Sequence, residues 1–593
     1  MGRSDRIVFW VFAGAMWAYV IARAILVPAV HDEAGAFHMF VLTGDFVPFV
    51  AGWDVGNHVV FSALAQVSFF LFGESLPGLR VWCVLSFVLY AWYLWRSGDW
   101  FVSTMVRWCV WATLLCVPFM VEFFSLARGY GLAMGFWSMA LFHLVRFMGS
   151  CRYRDLLAAL SGTILATWSL LSMLVICGGV LGVLGVVAIR NKALRGAPRT
   201  WIAGIAFGAV PLVGAVLFAL GLQERGALYA GTDRGYVDGT ISSICGPVLD
   251  MWNGAWTIVM LLCALMLGGL LATRSSPSSP AGTTTALSIL SGLLLFDALV
   301  QTLSGVVLGS RGPMDRAALY LVQPAILAAA LAVDTIGARV QLFRGLAVGL
   351  LIIPFRGIRQ ANVDYTSFWR DQAVPAEFYG IVAQRQRTAD RPLLIGAQEF
   401  IAKSTWDFGA RAHGLELNAV DQFGFPQPVC DLLMIDTTVY APPAGFRVIA
   451  RSGSGRNNLM ERTEPLRTRV LVDSSFSSPM SDRQFRTFWD TDAERYRGRD
   501  LVLELSMGIS STRGTINSFV YAFVEEEDGT KPYDRHVTVD HHRGSSFHGS
   551  FTLAEHLPRL SERASRIGFG LFNPAWRRFS LDSVRLRVRE VLP

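Results

Sequence analysis

Residues 30–58 read VHDEAGAFHMFVLTGDFVPFVAGWDVGNH and follow directly on an apolar run that ends at Ala29. His31, Asp32 and Glu33 therefore stand at a membrane boundary. Ionisable side chains are costly to desolvate there, so a group of them marks a functional site by default. Phe37, Met39, Phe40 and Val41 predict a short helix lying in the interface, with His38 an interfacial residue within it. Asp45, Asp54, Asn57 and His58 complete a polar loop floored by aromatics. The simpler reading of the same letters is a solvated loop with Asp32 as a helix N-cap.

The chain has 593 residues, 53% of them hydrophobic and 16% charged. Its mean hydropathy is +0.42. That is too apolar for a soluble protein, and several runs are long enough to span a bilayer. The net charge of +7 is not a nucleic-acid signature. The basic residues sit in short loops, where they set membrane orientation, rather than among aromatics on a soluble face. Of the eight cysteines, Cys83, Cys109, Cys116, Cys177 and Cys263 lie in apolar runs and read as packing residues. Cys245 and Cys430 fall on segments assigned to the outside, too few for a disulfide framework. The N-terminus lacks a small-residue cleavage signature, so the first apolar run reads as a retained helix.

Arg3 and Arg6 precede the first span, Ile7 to Ala29, and place the N-terminus in the cytoplasm. The loop between Arg190 and Arg199 is the most basic one and belongs on the same side. Counting every apolar run as a span puts it outside. Treating the short run Val59 to Phe72 as a half-helix that does not cross restores the parity, since re-entrant backbone is tolerated where it lines a protein cavity. About eleven spans result, and the C-terminal region lies outside. Glu122 to Tyr130, Gln223 to Asn253 and Ser310 to Arg316 then share the outer side with Asp32.

The expected architecture is a polytopic α-helical membrane protein with a C-terminal extracytoplasmic α/β unit and a β-sandwich. Its divisions are a transmembrane domain over 1–355, an α/β subdomain over 356–466 and a sandwich over 467–593. Leu393 to Gly396 and Leu432 to Ile435 predict buried strands, and Glu399 to His413 a helix. From Thr468 onward five alternating runs, separated by Gly, Asp and Asn turns, predict the sandwich. Its strands show no exposed aromatic platform. His536, Asp540-His541-His542 and His548 read as decoration of that sandwich rather than as a metal site, for want of a second ligand set of known spacing.

Four polar groups converge on the outer side in this topology. They are Asp32-Glu33; Asn57-His58 with Asp54; Glu122 to Tyr130, including Arg128; and Arg311 to Arg316, followed by Tyr320 and Gln323. A carboxylate and several arginines around one cavity suit attack by a hydroxyl or amine on a phosphate-activated carbon. The carboxylate takes the acceptor's proton, and the arginines offset the charge of the leaving phosphate. Arg128 reads equally well as a headgroup anchor at a helix end. Asp297 and Gln301, inside an apolar run, are either interhelical hydrogen-bonding groups or cavity-lining ones.

The acidic pair after the first span, the Asn-His that opens a short apolar run, the turn FGESLPGLRV over 72–81 and ARGY over 127–130 resemble the GT-C glycosyltransferases. The resemblance is to the branch of protein O-mannosyltransferases and lipid A aminoarabinose transferases, and it is densest in the first third of the chain. It implies a polyprenyl-phosphate-linked sugar donor, transfer at the outer face of a bacterial inner membrane, and inversion at the anomeric carbon. It implies Asp32 as general base with Glu33 beside it, and Arg128 and Arg316 near the donor phosphate, to which the reading of the outer polar groups adds Tyr130 and Arg311. Asp54, Asn57, His58, Glu122 and Tyr320 would line the acceptor side. The family's Asn-His-Pro reads Asn57-His58-Val59 here. No metal or other cofactor is implied, and the acceptor is a lipid, a glycan or a protein. The sandwich would bind carbohydrate, hold an acceptor or brace the fold. The competing reading is a transporter or flippase of a lipid-linked glycan; it calls for inverted repeats and matching broken helices, and no such symmetry is present.

Overall fold

The computed structural model describes residues 2–190, 198–228, 231–274, 281–398, 401–420 and 429–592. The core of the basic loop (191–197), most of the loop before residue 285, and Glu399 lie outside the described residues. The chain forms two compact units. One is Met1–Ile25 with Asp45–Val363; the other is Leu26–Gly44 with Asp364–Pro593.

The first unit is helical. Among the described residues, eight helices are long and apolar enough to cross a membrane, or nine if one bent pair counts as a span. The bent pair is Thr104–Leu115 and Pro118–Phe124, which meet at 53°. Pro118 explains the break: it supplies no N–H, and it holds Val117 out of the helical region at ψ 111°. Tyr153–Ser169 and Leu174–Arg190, two of the about eleven expected spans, have 17 residues each. At 1.5 Å per residue such a helix reaches roughly 26 Å, short of a hydrocarbon core of roughly 30 Å. Val59–Phe72 forms a helix of 14 residues, closed by Gly73 at φ 65°. Its length, roughly 21 Å, is shorter than a hydrocarbon core of roughly 30 Å.

Asp334 ties two of these segments together. Its carboxylate is buried and accepts the backbone N–H of Val102 at 2.6 Å and of Ser103 at 3.1 Å, while Arg344 Nε stands 3.3 Å away. Ser103 in turn caps the Thr104–Leu115 helix, its Oγ accepting from Val106 N–H at 3.4 Å.

The second unit begins with the helix His31–Ala36, which runs into a π-helical turn over Phe37–Val41. Its α/β part holds β1 (Ile395–Ala397), β2 (Leu432–Asp436), β3 (Phe446–Arg451) and β4 (Asn457–Arg462) in the order β1-β2-β4-β3. The β1–β2 pair is parallel and the other pairs are antiparallel. The helix expected after β1 appears as a π-helical Ile401–Thr405 and an α-helical Trp406–Ala412.

The remaining strands are β5 (Thr468–Ser481), β6 (Phe485–Asp492), β7 (Leu501–Ser511), β8 (Phe519–Glu526), β9 (Tyr533–Thr538), β10 (His548–Leu557), β11 (Ala564–Phe572) and β12 (Phe579–Val591). They form two antiparallel sheets, β10-β7-β12-β5 and β6-β11-β8-β9. Leu503, Leu505 and Leu586 from one sheet and Val520, Phe569 and Leu571 from the other are buried in one core. All five expected alternating runs are strands of this sandwich.

Asp334→Ala removes the acceptor of the Val102 and Ser103 backbone N–H groups and the carboxylate beside Arg344. The expected loss is about 2–4 kcal/mol, read as a lower thermal unfolding midpoint of the purified chain in detergent.

Candidate functional site

Three helix ends meet in the first unit. The helix Gly129–Ser150 starts at Arg128, whose backbone is extended at φ −143° and ψ 158°. His58 precedes Val59–Phe72, and Ser169 closes Tyr153–Ser169. His58 Nδ1 lies 2.8 Å from the Ser169 carbonyl oxygen. A carbonyl only accepts, so Nδ1 carries the proton. Gly129 permits this approach: a β carbon there would overlap the Ser169 carbonyl and stand 2.7 Å from His58 Cβ.

Tyr130 is the next residue, and two arginines converge on it. Arg316 Nε donates to the Tyr130 hydroxyl at 3.0 Å, and the Arg128 guanidinium lies 6.0 Å from the ring centroid. His58 meets the same ring edge-on at 5.0 Å and Phe123 at 4.6 Å. Arg128 is only 6% exposed, which is not the state of a headgroup anchor. Arg316 follows Asp315, held at φ 51° with its N–H donating to Ser243 Oγ at 2.7 Å. Two guanidinium groups thus meet at the N-terminus of a helix of 22 residues, whose first N–H groups and dipole favour an anion.

Asp54 accepts the Gly56 N–H at 2.6 Å. A β carbon on Gly56 would stand 2.7 Å from Asp54 Oδ1 and 3.8 Å from Arg128 Nη2, so the loop backbone runs between these groups. Asn57 braces the loop. Its Nδ2 donates to Phe46 O at 3.0 Å, and its Oδ1 accepts from Ser62 Oγ at 3.2 Å.

Other expected residues are placed elsewhere. Glu122 is buried and accepts from Arg23 Nη2 at 3.3 Å, and Arg23 also donates to Asn362 O at 2.5 Å. Tyr320 donates to the buried Asp297 at 3.0 Å, and Tyr236 donates to its other oxygen at 3.1 Å. Asp297 is therefore a hydrogen-bonding node between segments. Arg311 is exposed beside Gly312, which pairs with Thr232 in a short bridge.

Asp32 and Glu33 belong to the second unit. Glu33 is buried, and its Oε2 accepts Val30 N–H at 3.2 Å, closing a capping box on the helix His31–Ala36. Asp32 Oδ1 lies 3.0 Å from His31 Nε2. His31 Nδ1 lies 2.8 Å from Gln372 Oε1, which also accepts the His31 backbone N–H at 3.0 Å. Both imidazole nitrogens thus face acceptor oxygens. Sequence reading singled out His31 but not its partner Gln372, which is 341 positions away and carries no local signal.

The same segment is fastened by a second histidine. The His38 ring stacks on His541 at 4.0 Å, and Arg411 Nη2 stands 3.4 Å from His38 Nε2. Arg411 also donates to Asp540 O at 3.0 Å, and His542 Nδ1 lies 3.5 Å from Asp407. Asp540 accepts from Ile516 and Asn517 N–H and from Arg543. Burial holds His38 well below the usual histidine range, and His541 and Arg411 add to the effect. Burial pushes His541 down to about 4, opposed by Asp407 and aided by Arg411. Among the described residues no group of three or more His, Cys, Asp or Glu is arranged to hold a metal ion. Cys245 and Cys430 are both buried thiols.

No protein-family model matches this chain. No curated protein sequence matches it. Among solved structures, the crystal structure of ArnT from Cupriavidus metallidurans bound to undecaprenyl phosphate is 13% identical, with 78% of this chain and 98% of that one covered at a TM-score of 0.35. The archaeal oligosaccharyltransferase AglB from Archaeoglobus fulgidus, in complex with an inhibitory peptide and a dolichol-phosphate, is 9% identical, with 97% of each chain covered at a TM-score of 0.42. The arabinosyltransferase EmbB from Mycobacterium smegmatis is 12% identical, with 98% of this chain and 64% of that one covered at a TM-score of 0.31.

Gly129→Ala is expected to cost about 1–3 kcal/mol in unfolding experiments, whereas Gly149→Ala, where a β carbon meets open space, leaves the midpoint unchanged or slightly raised. The buried histidines predict a pH dependence. Both are neutral when folded, whereas the unfolded chain takes up protons below about 6.5, so their contribution is complete above that pH and is lost as pH falls toward 4. The protection factor of the Phe37–Val41 amides, with the intrinsic base-catalysed rate divided out, should therefore fall between pH about 6.5 and about 4, and His541→Phe should flatten that dependence.

Proposed function

We propose that this chain is a polytopic membrane glycosyltransferase of the GT-C type. It moves a sugar from a polyprenyl-phosphate donor to an extracytoplasmic acceptor, with inversion. The observation that carries the reading is the convergence of Arg128 and Arg316 on Tyr130 at a helix N-terminus. Two fixed cations and oriented N–H groups are the chemistry a leaving phosphate needs, because its charge grows as the bond to the anomeric carbon breaks.

Asp32 is the general base in this reading, as the sequence resemblance implies. Its carboxylate takes the proton of the acceptor hydroxyl or amine while that atom attacks the anomeric carbon and the lipid phosphate departs. His31, held by Gln372, positions the carboxylate. Glu33 acts through the capping box rather than on the substrate. Glu122 is engaged in the buried pair with Arg23 and in this reading does not serve as a second base. The chain is placed in a bacterial inner membrane, with its N-terminus cytoplasmic and its second unit periplasmic.

The test is transfer in vitro from a panel of polyprenyl-phosphate sugars, with a total extract of membrane lipid and glycan as acceptor. Asp32→Asn should lower the rate by about 10²–10⁴-fold at retained donor binding. Near-parental transfer by that variant would sink the base assignment. A parent that transfers no sugar yet moves lipid-linked glycan across vesicles would establish the transporter instead.

A further inference from the structure

The outer face of the β6-β11-β8-β9 sheet carries an aromatic array that the transfer chemistry does not use. Along β8, Val520, Ala522 and Val524 are buried in the core, so Phe519, Tyr521 and Phe523 project from the opposite face. The strand register sets them in rows. Phe485, Phe572 and Phe519 make the first row. Thr487, Gly570, Tyr521 and His536 make the second, and Asp490, Gly568, Phe523 and Asp534 the third. The absence of an aromatic platform expected from sequence is therefore corrected: Phe485 alone is 57% exposed.

The two glycines shape the surface. A β carbon on Gly568 would fall on the Phe523 ring, and one on Gly570 would stand 2.6 Å from the Tyr521 hydroxyl. Without those carbons the two rings lie down across β11, their planes 16° apart and their centroids separated by 6.1 Å. The first row rises beside this floor, with Phe485 and Phe572 stacked at 4.7 Å and Phe519 at 5.4 Å from Phe572. A cavity of about 550 Å³ opens over it, a size that accepts a ligand of a few rings.

Charge decides the occupant. Lys531 lies 4.4 Å from the Phe523 ring centroid, and Arg566 donates to Asp490 at 2.8 Å. With Asp534 exposed at the far edge, two basic and two acidic groups border the cavity and balance. A single-stranded nucleic acid calls for a positive groove along its backbone, which this edge does not supply. A neutral sugar chain presents flat C–H faces that cover aromatic rings and hydroxyls that need both donors and acceptors.

We propose that this face binds a neutral oligosaccharide, its rings on the Tyr521–Phe523 floor and its hydroxyls on the charged edge. The site is separate from the transfer reaction and needs no donor. The full chain in lipid nanodiscs would be titrated calorimetrically with gluco-, manno- and arabino-hexaose. At least one should bind at or below about 1 mM. Tyr521→Ala should weaken it by about tenfold or more. Tyr521→Phe should retain most of the affinity, Asp32→Asn should bind as the parent does, and all variants should keep the parental thermal midpoint. No heat from any of the three up to about 10 mM, or undiminished binding by Tyr521→Ala at parental stability, would overturn the proposal.

Discussion

The carbonyl oxygen of Ser169 occupies the space where a β carbon of residue 129 would stand. That one contact brings three helix ends to a point. It lets His58 reach the Ser169 carbonyl, it sets the first turn of Gly129–Ser150 against the loop from Asp54, and it presents Arg128 and Tyr130 side by side. Arginine at the cap and tyrosine in the first turn are ordinary residues for a helix start. Their joint orientation depends on the missing side chain between them.

The second unit solves a different problem, that of keeping polar groups satisfied on a segment that follows a membrane helix. Val30 and Glu33 close one capping box, and Gln372 takes two hydrogens from His31. His38 is packed neutral between His541 and Phe37. In a low-dielectric setting each of these groups, if left alone, would cost more than the bond returns, so the segment is held by many partners at once. Arg23 and Glu122 follow the same logic within the helical unit.

Hydropathy made the helical unit legible, and alternation made the sandwich legible, because both periodicities are local. Pro118 could have announced the bend at Val117, yet the surrounding apolar run masked it. Asp297 was visible as a polar residue in an apolar helix; its role was not, since Tyr236 and Tyr320 reach it from other segments. The arginines of the candidate site could be listed from sequence, but not which of them share a tyrosine. The aromatic face was written in alternation on β8 and in the two glycines of β11. Neither strand tells its own story, because the platform exists only in their register.

Leu26–Gly44 is made early and belongs to a unit completed last. Arg411, which stands beside His38, follows it by 373 positions. At roughly 5–20 residues per second that interval is about 20–75 s of synthesis. His541 comes later still. The acidic turn lacks Gln372 and then the Arg411 clamp until after the last helix of the first unit has been made. The order of the chain therefore acts as a completion check: a ribosome that stops after the last span leaves a finished helical bundle whose acidic turn has nothing to hold it in place.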